Sequence, residues 1–199
     1  MLEFLGFGDG GPKKVVYDDI PTPVTEEDYK QMFEKLREEV REWEKGEEGW
    51  NPVEIPYDDI TLYEKSTGDN SGVFWMKAVG IVQNCTPNDL FEINWELDLN
   101  KRSVWDKELL ELKLVKKVVD NVEVTHSRVT TPVGVSNREF VDARTYFNES
   151  DGTLTFLTSS INSDILQTSG TIRATSQSGM ILRPVKGQKA VNVTFCGKV

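Results

Sequence analysis

The sequence is poor in the residues that most often carry chemistry. Its 199 residues include two cysteines and one histidine. Cys85 and Cys196 are far apart and neither belongs to a CxxC pair, which excludes the zinc and thiol-redox motifs built on that spacing. Both are expected to be free, buried thiols rather than a disulfide, given the reducing compartment inferred below. His126 has Ser127 beside it, but adjacent strand residues point to opposite faces and cannot form a nucleophile-base pair. With no other acid-base constellation and no ligand cluster, neither an enzyme nor a metal or cofactor is expected.

Two further absences narrow the partners. No apolar run approaches the roughly 20 residues that span a bilayer. Nor is there an excess of positive charge: 33 acidic residues against 23 basic ones leave a net charge of −10. Such a surface repels phosphate backbones and anionic leaflets, so nucleic acid is not an expected partner. The start Met1-Leu2-Glu3-Phe4-Leu5-Gly6 lacks the basic and apolar regions of a secretory leader, and a cytoplasmic address is expected. The sequons at Asn84, Asn148 and Asn192 are then accidental. The segment from Gly6 to Gly11 is no phosphate loop, because neither a strand nor a helix frames it.

What remains is a chain of single-domain size. Residues 1–24, rich in Gly and Pro, read as a flexible N-terminal arm whose Leu2, Phe4, Leu5 and Phe7 either dock or fray, and 25–199 as one domain. Thr25 followed by Asp28 resembles a capping box, and Tyr29, Met32, Phe33, Leu36, Val40 and Trp43 recur at helical spacing, which predicts a helix over 25–47. Beyond Pro56 the period becomes two. Strands over 60–65 and 73–82 flank a Gly-containing loop as a hairpin, and Thr86-Pro87-Asn88-Asp89 starts a second helix through Leu97. Further strands are expected at about 109–119, 122–131, 138–148, 152–160, 169–177, 179–185 and 190–196. Short turns between them require antiparallel pairing, hence an α+β meander curving around one long helix.

Four blocks then stand in order: Leu62-Tyr63-Glu64-Lys65; Arg102-x-x-Trp105-Asp106; Pro132-x-x-x-Ser136-Asn137-Arg138-Glu139-Phe140-Val141; and Gly170-Thr171-Ile172-Arg173-Ala174 with Gly179-Met180-Ile181-Leu182-Arg183-Pro184. Together they resemble the START family, the steroidogenic acute regulatory protein-related lipid-transfer domains. The resemblance covers about Trp43 to Thr194. It implies a helix-grip fold, a curved antiparallel sheet closed over a hydrophobic tunnel, which binds one lipid, such as a sterol or phospholipid, and transfers or senses it at a transient membrane contact.

The resemblance also assigns positions. Arg144 corresponds to a tunnel-lining arginine, and the position of its usual acidic or polar partner on the preceding strand is Ser127. Strand alternation puts Phe140, Asp142, Arg144 and Tyr146 on one face, so Asp142 is offered as the substitute partner. Alternation alone leaves open whether that face lines a cavity or carries a surface ion pair. The resemblance favours the cavity, with Arg144 as head-group reader beside Asp142 and Ser127. The loop Thr131-Pro132-Val133-Gly134-Val135-Ser136 corresponds to the family's gate and membrane-contact loop, with Pro132, Val133 and Val135 as its apolar part. Packing of these residues on the domain's own edge is the other reading. Trp105, Asp106, Arg138 and Arg173 are expected to tie elements together.

Family members continue into a C-terminal lid helix, while this sequence reaches Val199 without one, so the domain is expected to be C-terminally incomplete. The opening is then covered by the arm or the first helix, or by self-association. A non-transferring protein-interaction or regulatory module that uses the open groove is the alternative function.

Overall fold

In the computed structural model the described residues are 13–46, 48–68 and 73–198. Leu2, Phe4, Leu5 and Phe7 therefore lie outside them. The long helix α1 (Glu26–Lys45) starts where its sequence says it should: the Thr25 side chain accepts from the Asp28 N–H, and the Asp28 carboxylate accepts from the Thr25 N–H. One stripe of α1, Tyr29, Phe33, Leu36 and Val40, is buried. Burial of this kind contributes roughly 1.5–3 kcal/mol for each large apolar side chain.

The strands are β1 (Asn51–Val53), β2 (Ile60–Ser66), β3 (Phe74–Gln83), β4 (Leu109–Val119), β5 (Val122–Val129), β6 (Asn137–Asn148), β7 (Leu154–Ser160), β8 (Thr171–Arg173), β9 (Gln177–Pro184) and β10 (Ala190–Lys198). They form a 10-stranded sheet in the order β1-β2-β3-β10-β9-β7-β6-β5-β4. The path is antiparallel throughout. The expected strand over 169–177 is instead the short β8, which leaves the path and pairs parallel with the start of β6. Two short helices, α2 (Pro87–Trp95) and α3 (Leu99–Arg102), join β3 to β4, where one helix through Leu97 was expected.

Directly opposed strand residues share a face, so the register sorts side chains across the whole sheet. One row runs Val122, Thr145, Leu157, Gly179, Cys196, Lys77, Tyr63 and lies on the α1 side. The next runs Glu123, Arg144, Thr158, Ser178, Gly197, Met76 and faces the other way. Both cysteines are free, and burial pushes the Cys196 thiol up to about 11.

Gly179 sets the closeness of α1. A Cβ there would sit 2.5 Å from Val40 Cγ2 and 3.0 Å from Leu157 Cδ2. Gly179→Ala is expected to cost about 1–3 kcal/mol in urea unfolding, and Val40→Ala in the same chain should recover part of it. An unchanged midpoint for the single variant would mean that the helix rides higher on the sheet.

The arm approaches the sheet before α1 begins. Asn162 accepts from the Tyr17 N–H at 2.9 Å, and its amide donates to the carbonyls of Tyr17 and Ile20. Tyr17 Oη donates to the Arg173 carbonyl at 2.6 Å. Lys77 closes the other end of α1: buried between Trp50 and Tyr63, it donates to the carbonyls of Trp43 and Gly46.

Candidate functional site

The face turned away from α1 carries a mostly apolar surface with a buried ion pair set in it. Its next row reads Tyr146, Phe156, Met180, Phe195, Ala78, Leu62. Helix α2 covers one end, where Leu90 and Phe91 pack with Leu154, Leu182, Val191, Tyr146 and Phe156. Trp95 stands edge-on to Tyr146 at 5.3 Å and to Phe156 at 5.8 Å. Away from α2 the same face is open. Ile60, Phe74, Met76 and Leu114 are exposed large apolar residues on it.

Arg144 lies at the boundary between the covered and open parts, and it is buried. Its Nε and Nη2 donate to Glu123 Oε2 at 3.2 and 2.7 Å, and Nη2 also donates to the Trp95 carbonyl at 2.9 Å. The guanidinium lies 4.1 Å from the centre of the Trp95 ring. Burial and nearby Arg102 lower its pKa while Glu123 opposes them, and a guanidinium stays charged through such shifts. The result is an ion pair, neutral overall, beneath an indole.

Asp142 was expected to pair with Arg144 and does not. Its Oδ1 accepts from Ser160 Oγ at 2.6 Å and from Ser176 Oγ at 3.3 Å. The reason is geometric. Residues i and i+2 on one strand are separated by two rises of about 3.3 Å, whereas directly opposed Cβ atoms on neighbouring strands are about 4.5–5.5 Å apart. Glu123 is the cross-strand partner of Arg144, while Asp142 opposes Thr125 and Ser160. Ser127 opposes Phe140, so the position expected to supply the partner of Arg144 lies four register pairs further along. The acidic partner is present after all, on the same strand β5, at Glu123.

Sequence reasoning thus found Arg144, Phe140 and Tyr146 on one face but missed Glu123, Trp95, Ser160 and Ser176. The available signal for Glu123 was that it is the one acid in β5, flanked by Val122 and Val124. Nothing local announced Trp95, because its reach depends on how α2 folds over the sheet.

Asp142 is held neutral more readily than a solvated carboxyl. Burial raises its pKa to about 6, against the opposing pull of Ser160, Ser176 and Arg173. Glu139, on the same strand but bonded on the α1 side of the sheet, behaves oppositely. Burial raises it, but hydrogen bonding with Thr168 and the Arg173 guanidinium outweigh that and hold it at about 2. His126 Nε2 is 3.4 Å from Glu139 Oε2, so the histidine belongs to this structural cluster. Arg102 likewise ties elements together, donating to the Asn94 carbonyl and to Asp106 while stacking on Trp105.

The loop between β5 and β6 is tied by the Thr131 hydroxyl donating to the Val135 carbonyl and the Val135 N–H donating to the Pro132 carbonyl. Gly134 takes φ 91°, a conformation that favours glycine. Val133 is fully exposed at the tip, and Pro132 and Val135 are exposed beside it. Packing of Val133 on the domain's own edge is therefore excluded. No helix among the described residues is long and apolar enough to cross a membrane.

Residues 30–196 match the family model described as START domain. The chain belongs to the START domain family. Its α+β sheet is accordingly the helix-grip fold of that family. Among similar solved structures, human StAR-related lipid transfer protein 5 aligns with a TM-score of 0.72 at 16% identity, over 84% of this chain and 79% of that chain. Human STARD10 aligns at 0.70 and 16% identity, over 92% and 70% respectively. These likenesses are of fold. In sequence, the phosphatidylcholine transfer protein of Rattus norvegicus is 31% identical over 85 residues, 43% of this chain and 37% of that protein. Its Mus musculus counterpart is 32% identical over the same shares. The match thus spans little more than a third of these relatives' length.

Proposed function

We propose that this START domain binds a single lipid against the sheet face opposite α1, polar end toward Arg144 and Glu123, and transfers or senses it without making or breaking bonds. The observation that carries the reading is the buried Glu123–Arg144 pair set among apolar and aromatic side chains. A charge pair in such a place is costly to retain for stability alone, since well-packed apolar residues would serve at least as well. Its use is polar recognition. The guanidinium is already neutralised and already occupies the Trp95 face, so the spot favours an uncharged donor-acceptor such as a hydroxyl over an anionic phosphate or a quaternary ammonium. Phosphatidylcholine, named for the rat and mouse relatives, is therefore the less favoured occupant here.

The deciding variant removes both charges together: Glu123→Leu with Arg144→Met. It is expected to keep a melting temperature near that of the parent, because both members of a buried pair are replaced by apolar groups. Native mass spectrometry of protein purified from cells should show the parent retaining one lipid. The double variant should still take apolar chains but lose its preference for a hydroxylated lipid over the acetylated analogue. An unaltered preference would remove the pair from recognition, and a parent carrying no lipid under all extraction conditions would count against lipid binding itself.

The β5–β6 loop is read as the membrane contact, with Pro132, Val133 and Val135 as its apolar tip. A chain of net charge −10 gains nothing from anionic lipid, so contact relies on apolar insertion. Val133→Asp is expected to slow lipid transfer between neutral liposomes while leaving equilibrium binding unchanged. Equal transfer rates would exclude the tip from the contact.

A further inference from the structure

On the α1 side of the sheet, a cleft of about 340 Å³ opens between the first turns of α1, the β4–β5 turn and the end of β6. Its floor is the buried Phe33 and Val122, and Val119 and Phe147 are half-buried walls. Its rim is acidic: Glu26, Glu27 and Glu34 stand there against the single ammonium of Lys30. Lys30 is already 3.9 Å from Glu27, and Arg37, which stacks on Phe147, is shared between Glu34 and Glu149. The rim therefore keeps a negative excess around an apolar hole.

The size and the charge pattern together select an occupant. The volume lies at the lower end for small-molecule sites and suits one or two side chains. The carboxylate rim, within a protein of net charge −10, attracts cations and repels nucleic acid and anionic membranes. We propose that this cleft docks a basic segment of a partner protein. That segment inserts one bulky apolar side chain between Phe33 and Phe147 and lays flanking lysines or arginines against Glu26, Glu27 and Glu34. The wall and rim residues supply the anchor pocket and polar surround of an interface hot spot. Because Val122 and Thr145 alternate with Glu123 and Arg144 along their strands, the cleft lies behind the lipid face, and the two sites can be filled together.

The test is fluorescence anisotropy of the full chain with a dye-labelled short peptide carrying a central leucine flanked by arginines. Saturable binding is expected, weakening as added salt shortens the Debye length from about 10 Å at 0.1 M to about 3 Å at 1 M. Val119→Trp, which fills the cleft, and Glu34→Lys, on the solvated rim, should each weaken binding by at least about tenfold. A peptide with serine in place of the leucine should be weakened similarly. Absence of saturable binding, equal affinity for both variants, or equal affinity for the serine peptide would overturn the proposal. So would sedimentation showing a parent dimer that Val119→Trp dissociates, since a second copy would then be the occupant. If Val119→Trp fails to fold, Glu34→Lys decides alone. Lipid retention should be unchanged in Glu34→Lys, which keeps this test separate from that of the lipid reading.

Discussion

Glu123→Ala is expected to lower the unfolding free energy by about 3–5 kcal/mol at neutral pH, the cost of leaving a buried guanidinium without its counter-charge. Arg144 has nowhere to turn. It is 5% exposed, and its remaining hydrogen bond to the Trp95 carbonyl is to a neutral group. An arginine also cannot shed its proton to escape the penalty. The reverse deletion, Arg144→Met, is expected to be milder, because a carboxyl, unlike a guanidinium, has an uncharged form. The double variant should be less damaging than Glu123→Ala alone. Urea unfolding of the four chains gives the coupling directly, and simple additivity of the two single effects would show that the pair does not act as a pair.

Asp142→Asn should stabilise the protein at alkaline pH by up to about 3 kcal/mol, the free-energy equivalent of a shift from 3.8 to about 6. The folded-state pKa is raised, so the contribution of Asp142 is fully present below about 3.8 and is lost as pH rises through about 6. Parent stability should therefore fall between about pH 4.5 and pH 6.5 and level off above, while the variant lacks that fall. Asparagine can still accept from Ser160 and Ser176 through its carbonyl oxygen, so the bonds persist and the charge alone is removed. Glu139 does not blur the measurement. Its lowered value near 2 gives stability that is constant above about 4.5 and lost only in stronger acid. Parallel pH profiles for parent and variant would show that Asp142 does not titrate in this range.

The elements with local causes were legible in the sequence. Thr25 and Asp28 mark the start of α1, and Thr86, Pro87 and Asp89 mark that of α2, because a cap is satisfied by residues three positions away. Period-two stretches located most strands to within a few residues. The misreading at 169–177 has a physical basis: alternation there continues past β8, but the chain leaves the sheet path to lie beside β6, and pairing of that kind has no local signature.

The site divided the same way. Ordered motif blocks led to the family and to Arg144, and alternation put Phe140, Asp142 and Tyr146 on its face. The partner was another matter. Because β5 and β6 are joined through an irregular loop, no turn rule sets their register, and a shift of a few residues decides whether Arg144 meets Ser127 or Glu123. Sequence order offered Asp142 as the near neighbour, and tertiary pairing gave Asp142 to Ser160 and Ser176 instead.

The sequence by itself located most helices and strands and put Phe140, Asp142, Arg144 and Tyr146 on one face of β6. Only the tertiary structure decided which acid meets Arg144, that Trp95 would roof the pair, and that an acidic cleft would open behind it at Phe33 and Phe147. Caps and periodicities act over a few residues. Burial of a charge is settled by strands and helices far apart in the chain, where register and packing bring their side chains to within hydrogen-bonding distance.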